Sequence, residues 1–89
     1  MMYIVLCYDV DKKRDAKMLK LCRKYLASTQ ESVLEGNITE AKLKKMKREI
    51  EQLIDPYYDA VTLYSYDSFH GFERQHIGQT GNEETDTIL

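Results

Sequence analysis

Proline occurs once in this 89-residue sequence and glycine four times, against a hydrophobic content of 43%. That balance excludes a disordered chain and leaves room for one modest core. The only two cysteines, Cys7 and Cys22, form neither a CxxC pair nor a zinc-type spacing. Each sits at an apolar position and reads as a small core residue in a reducing compartment. No apolar run is long enough to cross a membrane, since the stretch Met2–Tyr8 stops after seven residues. No basic n-region precedes it, so a signal peptide is not expected and a cytoplasmic location is. Repeats, low-complexity linkers, and P-loop, GxGxxG, Ser-His-Asp and Cys-His patterns are all missing. Acyl transfer and nucleotide hydrolysis therefore have no support. Histidine is scarce too: His70 and His76, in the last third of the chain, read as surface residues, and no general base stands out.

Charge is plentiful but unevenly placed. The formal net charge is -2, from 13 basic and 15 acidic residues. Lys12, Lys13, Arg14, Lys17, Lys20, Arg23 and Lys24 face a single acid, Asp15, within their segment. Lys42, Lys44, Lys45, Lys47 and Arg48 form a second segment with no acid among them. Basic charge concentrated on two segments keeps nucleic acid open as a partner despite the near-neutral total.

Met2–Asp9 reads as a central β-strand that ends on a carboxylate. Asp11 can cap a helix running to about Leu26, with Met18, Leu19, Cys22, Tyr25 and Leu26 as its apolar stripe. Lys13, Lys17, Lys20 and Lys24 follow the other side, as a solvated face or a phosphate-binding one. Ser28–Ile38 has strand character broken at Gly36-Asn37, as one bent strand or two short ones. Thr39 then caps a second helix that buries Leu43, Met46, Ile50, Leu53 and Ile54 and ends before Pro56. Ala60–Tyr66 alternates as a strand, and Glu73–Ile77 as a short final one. Two amphipathic helices placed on one side of the sheet by right-handed crossovers give an α+β fold. The expected architecture is a ferredoxin-like βαββαβ two-layer sandwich with an additional short C-terminal strand. Residues 1–78 would form the domain and 79–89 a polar tail. The second sheet face, with Tyr3, Tyr8, Tyr64 and Tyr66 on strands, is left open and suited to a twofold homodimer.

Three blocks together carry a family resemblance. Tyr8-Asp9-Val10 closes the first strand with Arg14 at the start of the helix. Gln30-Glu31-Ser32-Val33-Leu34-Glu35-Gly36 is similar to a "Q-x-S-V-F-E" strand, and Ile77-Gly78 lies in the last one. Their order and spacing resemble the CRISPR-associated protein 2 family over Met2 to about Gly78. Leu34 stands for the commoner Phe, Leu26 where a glycine often ends the first helix, and Ala16 where a second arginine is frequent. The resemblance implies a homodimer in which Asp9 faces its symmetry mate. It implies a nucleic-acid-binding protein of spacer acquisition, with magnesium-dependent endonuclease activity on single-stranded RNA or double-stranded DNA in some members. The alternative is a non-catalytic DNA-binding scaffold for the integrase subunit, CRISPR-associated protein 1, and the two roles can coexist.

Physical chemistry constrains the implied site. Mg²⁺, or another divalent cation in its place, wants near-octahedral oxygen ligands, and one Asp9 is too few. Two copies across a dimer axis, with waters, could hold one ion that activates water and neutralises phosphate charge. Arg14 could clamp a phosphate bidentately, with Lys13 and Lys17 as nucleic-acid contacts. Tyr8 is a supporting residue, by its hydroxyl or by packing; packing is favoured, because it alternates onto the face opposite Asp9. A regulatory domain for a small metabolite is the third reading, and it has no ligand signature.

Overall fold

A computed structural model describes residues 1–78; the expected tail, 79–89, lies outside the described residues. Seven elements follow in chain order: β1 (Met2–Asp9), α1 (Lys12–Cys22), β2 (Ala27–Gln30), β3 (Val33–Ile38), α2 (Glu40–Leu53), β4 (Ala60–Asp67) and β5 (Gly71–Gly78). The strands form one sheet of order β2-β3-β1-β4-β5. Every neighbouring pair is antiparallel. The fold is the expected α+β, ferredoxin-like arrangement with β5 added at the edge.

β1 is central because its alternating residues fill the core. Ile4, Leu6 and Tyr8 point to the helix side at 0, 0 and 7% exposure. They meet Met18 and Cys22 of α1, Met46 and Ile50 of α2, Leu34 of β3, and Val61 and Leu63 of β4. Full burial of an Ile or Leu side chain contributes about 1.5–3 kcal/mol each. The helices start where their caps dictate. Asp11 accepts the Lys13 N–H at 3.1 Å, and the Thr39 hydroxyl accepts the Lys42 N–H at 3.2 Å.

The structure corrects four details. The Ser28–Ile38 stretch is two strands, but the break falls at Glu31-Ser32, not at Gly36-Asn37, which lie inside β3. Ser32 takes φ 64°, a left-handed turn position that glycine or asparagine fills more readily. α1 ends at Cys22, with Leu26 buried just beyond it by a tight turn in which its N–H reaches the Cys22 carbonyl at 2.9 Å. β5 is longer than expected, pairing with β4 over its whole length from Ala60↔Gly78 to Asp67↔Gly71. Tyr8, finally, belongs to the covered face, so it does not share the open face with Tyr3, Tyr64 and Tyr66.

The register defines that open face. Tyr3, Val5, Cys7 and Asp9 of β1 lie beside Tyr66, Tyr64, Thr62 and Ala60 of β4, and beyond them Phe72, Arg74 and His76 of β5. No helix among the described residues covers it. Tyr3, Tyr66 and Phe72 are 40, 46 and 44% exposed, and the Tyr66 and Phe72 rings lie 5.0 Å apart.

Candidate functional site

Asp9 closes β1 and is exposed on the open face, at the end of the sheet where α1 begins and α2 finishes. Its cross-strand partner on β4 is Ala60, whose small side chain leaves the carboxylate uncrowded. Among the described residues, no hydrogen bond or ion pair engages the Asp9 carboxylate. The neighbouring acids differ. Asp11 caps α1, and an Asp55 oxygen accepts the Tyr57 N–H at 2.9 Å.

Asp59, which the sequence pattern does not single out, is the most committed of all. It is 0% exposed and would be costly to bury without partners. Its two oxygens accept the Arg14 Nε–H at 2.5 Å and Nη2–H at 3.1 Å. They also accept the Asp11 N–H and the Asp55 N–H, each at 2.8 Å. This guanidinium fork, helped by the two backbone donors, outweighs burial and holds the Asp59 carboxyl at about 2. Arg14 is raised in turn, chiefly by its hydrogen bond to Asp59. The pair ties the start of α1 to the loop between α2 and β4, and thereby fixes the backbone that follows Asp9.

Arg14 is thus placed with Nε and Nη2 turned onto Asp59 and a side chain 16% exposed. Lys13 and Lys17 are exposed on α1. Lys17 lines a groove of about 350 Å³ between the helices, together with Lys20, Leu21, Lys24, Glu49, Gln52 and Leu53. Within it Lys24 pairs with Glu49 at 2.9 Å. Tyr8 is packed in the core, and burial is the first cause that raises its hydroxyl. Its hydroxyl is therefore not displayed beside Asp9.

The histidines are elsewhere. His70 sits at the far end of the sheet, where its Nδ1 and Asp67 Oδ2 are 3.0 Å apart. The Nδ1 of His76 lies 3.1 Å from the Thr62 hydroxyl on the open face. His76 is two strands across and two residues along from Asp9, roughly 12 Å by strand spacing. That is beyond direct proton-transfer reach.

The donor set of the described residues falls short of a divalent cation's needs. Among the described residues no three His, Cys, Asp or Glu side chains converge as a metal site, and Asp9 alone cannot satisfy Mg²⁺. Further oxygen ligands would have to come from beyond the described residues or from a second copy.

Asp59 escapes a reading of the sequence because its partner lies 45 residues away. A signal existed: once β1 and β4 are paired through Asp9↔Ala60, the residue before Ala60 must meet Val10 and Asp11.

The family model described as CRISPR associated protein Cas2 matches residues 1–70. The chain is 43% identical over 83 residues to the CRISPR-associated endoribonuclease Cas2 of Thermotoga maritima, covering 93% of this chain and 95% of that protein. It is 45% identical over 82 residues to the protein of the same name from Dictyoglomus turgidum, covering 92% and 94%. The crystal structure of Streptococcus pyogenes Cas2 at pH 6.5 superposes with a TM-score of 0.65 at 33% identity, covering 72% of this chain and 83% of that one. No helix among the described residues is long and apolar enough to cross a membrane. With the matched motifs, the fold and an Asp9 held clear at the end of the central strand, this chain belongs to the CRISPR-associated Cas2 family.

Proposed function

We propose that this protein is a metal-dependent endoribonuclease of CRISPR adaptation that works as a homodimer. The observation that carries this reading is the contrast among acids at one end of the sheet. Asp11, Asp55 and Asp59 are bound by caps and an ion pair, while Asp9 is exposed and, among the described residues, has no side-chain partner. A carboxylate kept free beside a rigid ion pair suits ligation or phosphate chemistry better than structure. The relatives named as endoribonucleases give the reaction class.

A twofold pairing through the open face would bury its aromatic residues and bring two Asp9 carboxylates together. The pair would form the site for Mg²⁺, whose role is to lower the pKa of water and offset phosphate charge. Labelled single-stranded RNA should be cut by the purified protein in Mg²⁺ and spared in EDTA. Asp9→Asn should reduce cutting at least about a hundredfold, the scale seen when one preorganised catalytic group is lost. Equal rates for Asp9→Asn and wild type would remove Asp9 from the site.

A second reading, a DNA-binding scaffold for the integrase subunit, is favoured by a different observation. Lys17 and Lys20 line the groove between the helices, unpaired among the described residues, and Arg14 is engaged internally. Backbone contacts of this kind position a duplex without reading sequence. Duplex affinity should then fall steeply with salt, and Lys17→Ala with Lys20→Ala should flatten that slope by about two phosphate contacts. An affinity indifferent to salt would count against it.

A further inference from the structure

Tyr57 and Tyr58 are 81 and 74% exposed, on the loop between α2 and β4. That loop is held as a rigid turn. Asp55 Oδ1 accepts the Tyr57 N–H at 2.9 Å. The Asp55 carbonyl accepts the Tyr58 N–H at 3.1 Å and the Asp59 N–H at 2.8 Å. Asp59 then anchors the loop to Arg14 and to the Asp11 N–H. Two large rings in water contribute little to stability, yet four hydrogen bonds and a buried ion pair fix the backbone that carries them. They stand at the same end of the molecule as Asp9, because Ala60 pairs with Asp9 directly after the loop. Lys12 and Lys13, exposed, open α1, whose start is tied to this loop through the Asp11 N–H and Arg14 on Asp59.

We infer that Tyr57 and Tyr58 are a stacking platform for unpaired bases of single-stranded nucleic acid, selecting single strands for the site at Asp9. The inference rests on the nucleic-acid reading above and adds the residues that discriminate strandedness. Every base has a π-face, so stacking on tyrosine is tolerant of sequence, whereas bases inside a duplex are not accessible to it. Nearby lysines supply the backbone attraction, while the acids Asp11 and Asp55 each have an oxygen engaged by a backbone N–H. The backbone that carries the rings is preorganised, so binding orders only the two side chains.

The test measures binding of the full chain in Mg²⁺ to phosphorothioate oligonucleotides, which resist cutting, as single strands and as blunt duplexes of equal length. The variants are Tyr57→Ala with Tyr58→Ala, and Tyr57→Phe with Tyr58→Phe. The alanine pair should weaken single-strand binding about 5- to 100-fold. Duplex binding should change less than about twofold, and the single-strand salt slope should stay that of the wild type, since stacking releases no counterions. The phenylalanine pair, which keeps both rings, should bind as the wild type does. Single-strand affinity unchanged by the alanine pair overturns the inference, as does equal loss on single strand and duplex. So does a phenylalanine pair as weak as the alanine pair. In each of those cases wild-type binding persists and the nucleic-acid function stands. A wild type that binds neither form overturns both together.

Discussion

Arg14 shows how one residue can read two ways. An arginine opening a basic helix beside acids looks like a phosphate clamp, and only the fold reveals that its fork is turned onto Asp59. Removing one partner of a buried pair leaves the other charge uncompensated, so Asp59→Ala should cost about 3–5 kcal/mol. Urea denaturation at pH 7 measures this, and a loss under about 1 kcal/mol would show that the pair is not structural. The pH dependence has a definite sign. The Asp59 carboxyl is held down at about 2 from an ordinary 3.8. Its contribution is therefore complete above pH 3.8 and disappears as pH falls through about 2. The Asp59→Ala variant should lack that acid-side step in a stability profile.

At the scale of elements, much was legible. The apolar run of β1, the caps Asp11 and Thr39, and the stripes through Met18, Cys22, Met46 and Ile50 follow from periodicity and local hydrogen bonding. The β2–β3 turn was not legible, because Gly36-Asn37 carries turn chemistry while Ser32 does not advertise its left-handed backbone. The full length of β5 was hidden for a similar reason, since its residues are polar or half-exposed along an edge.

Gly78, at the end of β5, has a role that only packing exposes. A Cβ there would fall 2.2 Å from the Asp59 carbonyl oxygen, and the residue has φ 94°. Gly78→Ala should therefore lift the end of β5 from the loop that holds Asp59. A loss of about 1–3 kcal/mol is expected from the strained backbone alone. Thermal denaturation would record it, and an unchanged Tm would show that this contact relaxes freely.

The β4–β5 hairpin has its own staple. Asp67 accepts the Phe69 and His70 N–H groups at 2.7 and 3.1 Å and pairs with the His70 ring. Hydrogen bonding, first of all from His70, lowers Asp67 to about 2, and Asp67 raises His70. The Asp67 contribution is lost as pH falls through about 2. That of His70 is present below its ordinary 6.5 and lost as pH rises through its higher folded value. Protection of the hairpin amides, taken relative to the intrinsic rise of exchange with pH, should therefore fall as pH rises past 6.5, and His70→Ala should abolish that fall. A wild-type hairpin with flat protection across that range would contradict the pairing.

Taken together, the described residues leave one sheet face uncovered, and that is where Asp9 lies. Among the described residues no three His, Cys, Asp or Glu side chains could hold a metal ion, so the proposed activity draws on pairing two carboxylates. If two Asp9 residues share one ion at roughly 2.1 Å each, their oxygens should stand about 4–5 Å apart in the dimer. Kinetics can test the sharing without a structure. Wild type and Asp9→Asn, mixed in equal amounts and allowed to exchange subunits, give one-quarter wild-type homodimers and one-half mixed dimers. A shared site leaves about a quarter of the activity of the same total of wild type, and two independent sites leave about a half. Val5→Lys, a charge at the centre of the open face across from Tyr64, supplies the companion measurement. It should yield a folded monomer by sedimentation that cuts no RNA. A monomer as active as the dimer would place the complete site within one chain, and Asp9 would then act without its symmetry mate.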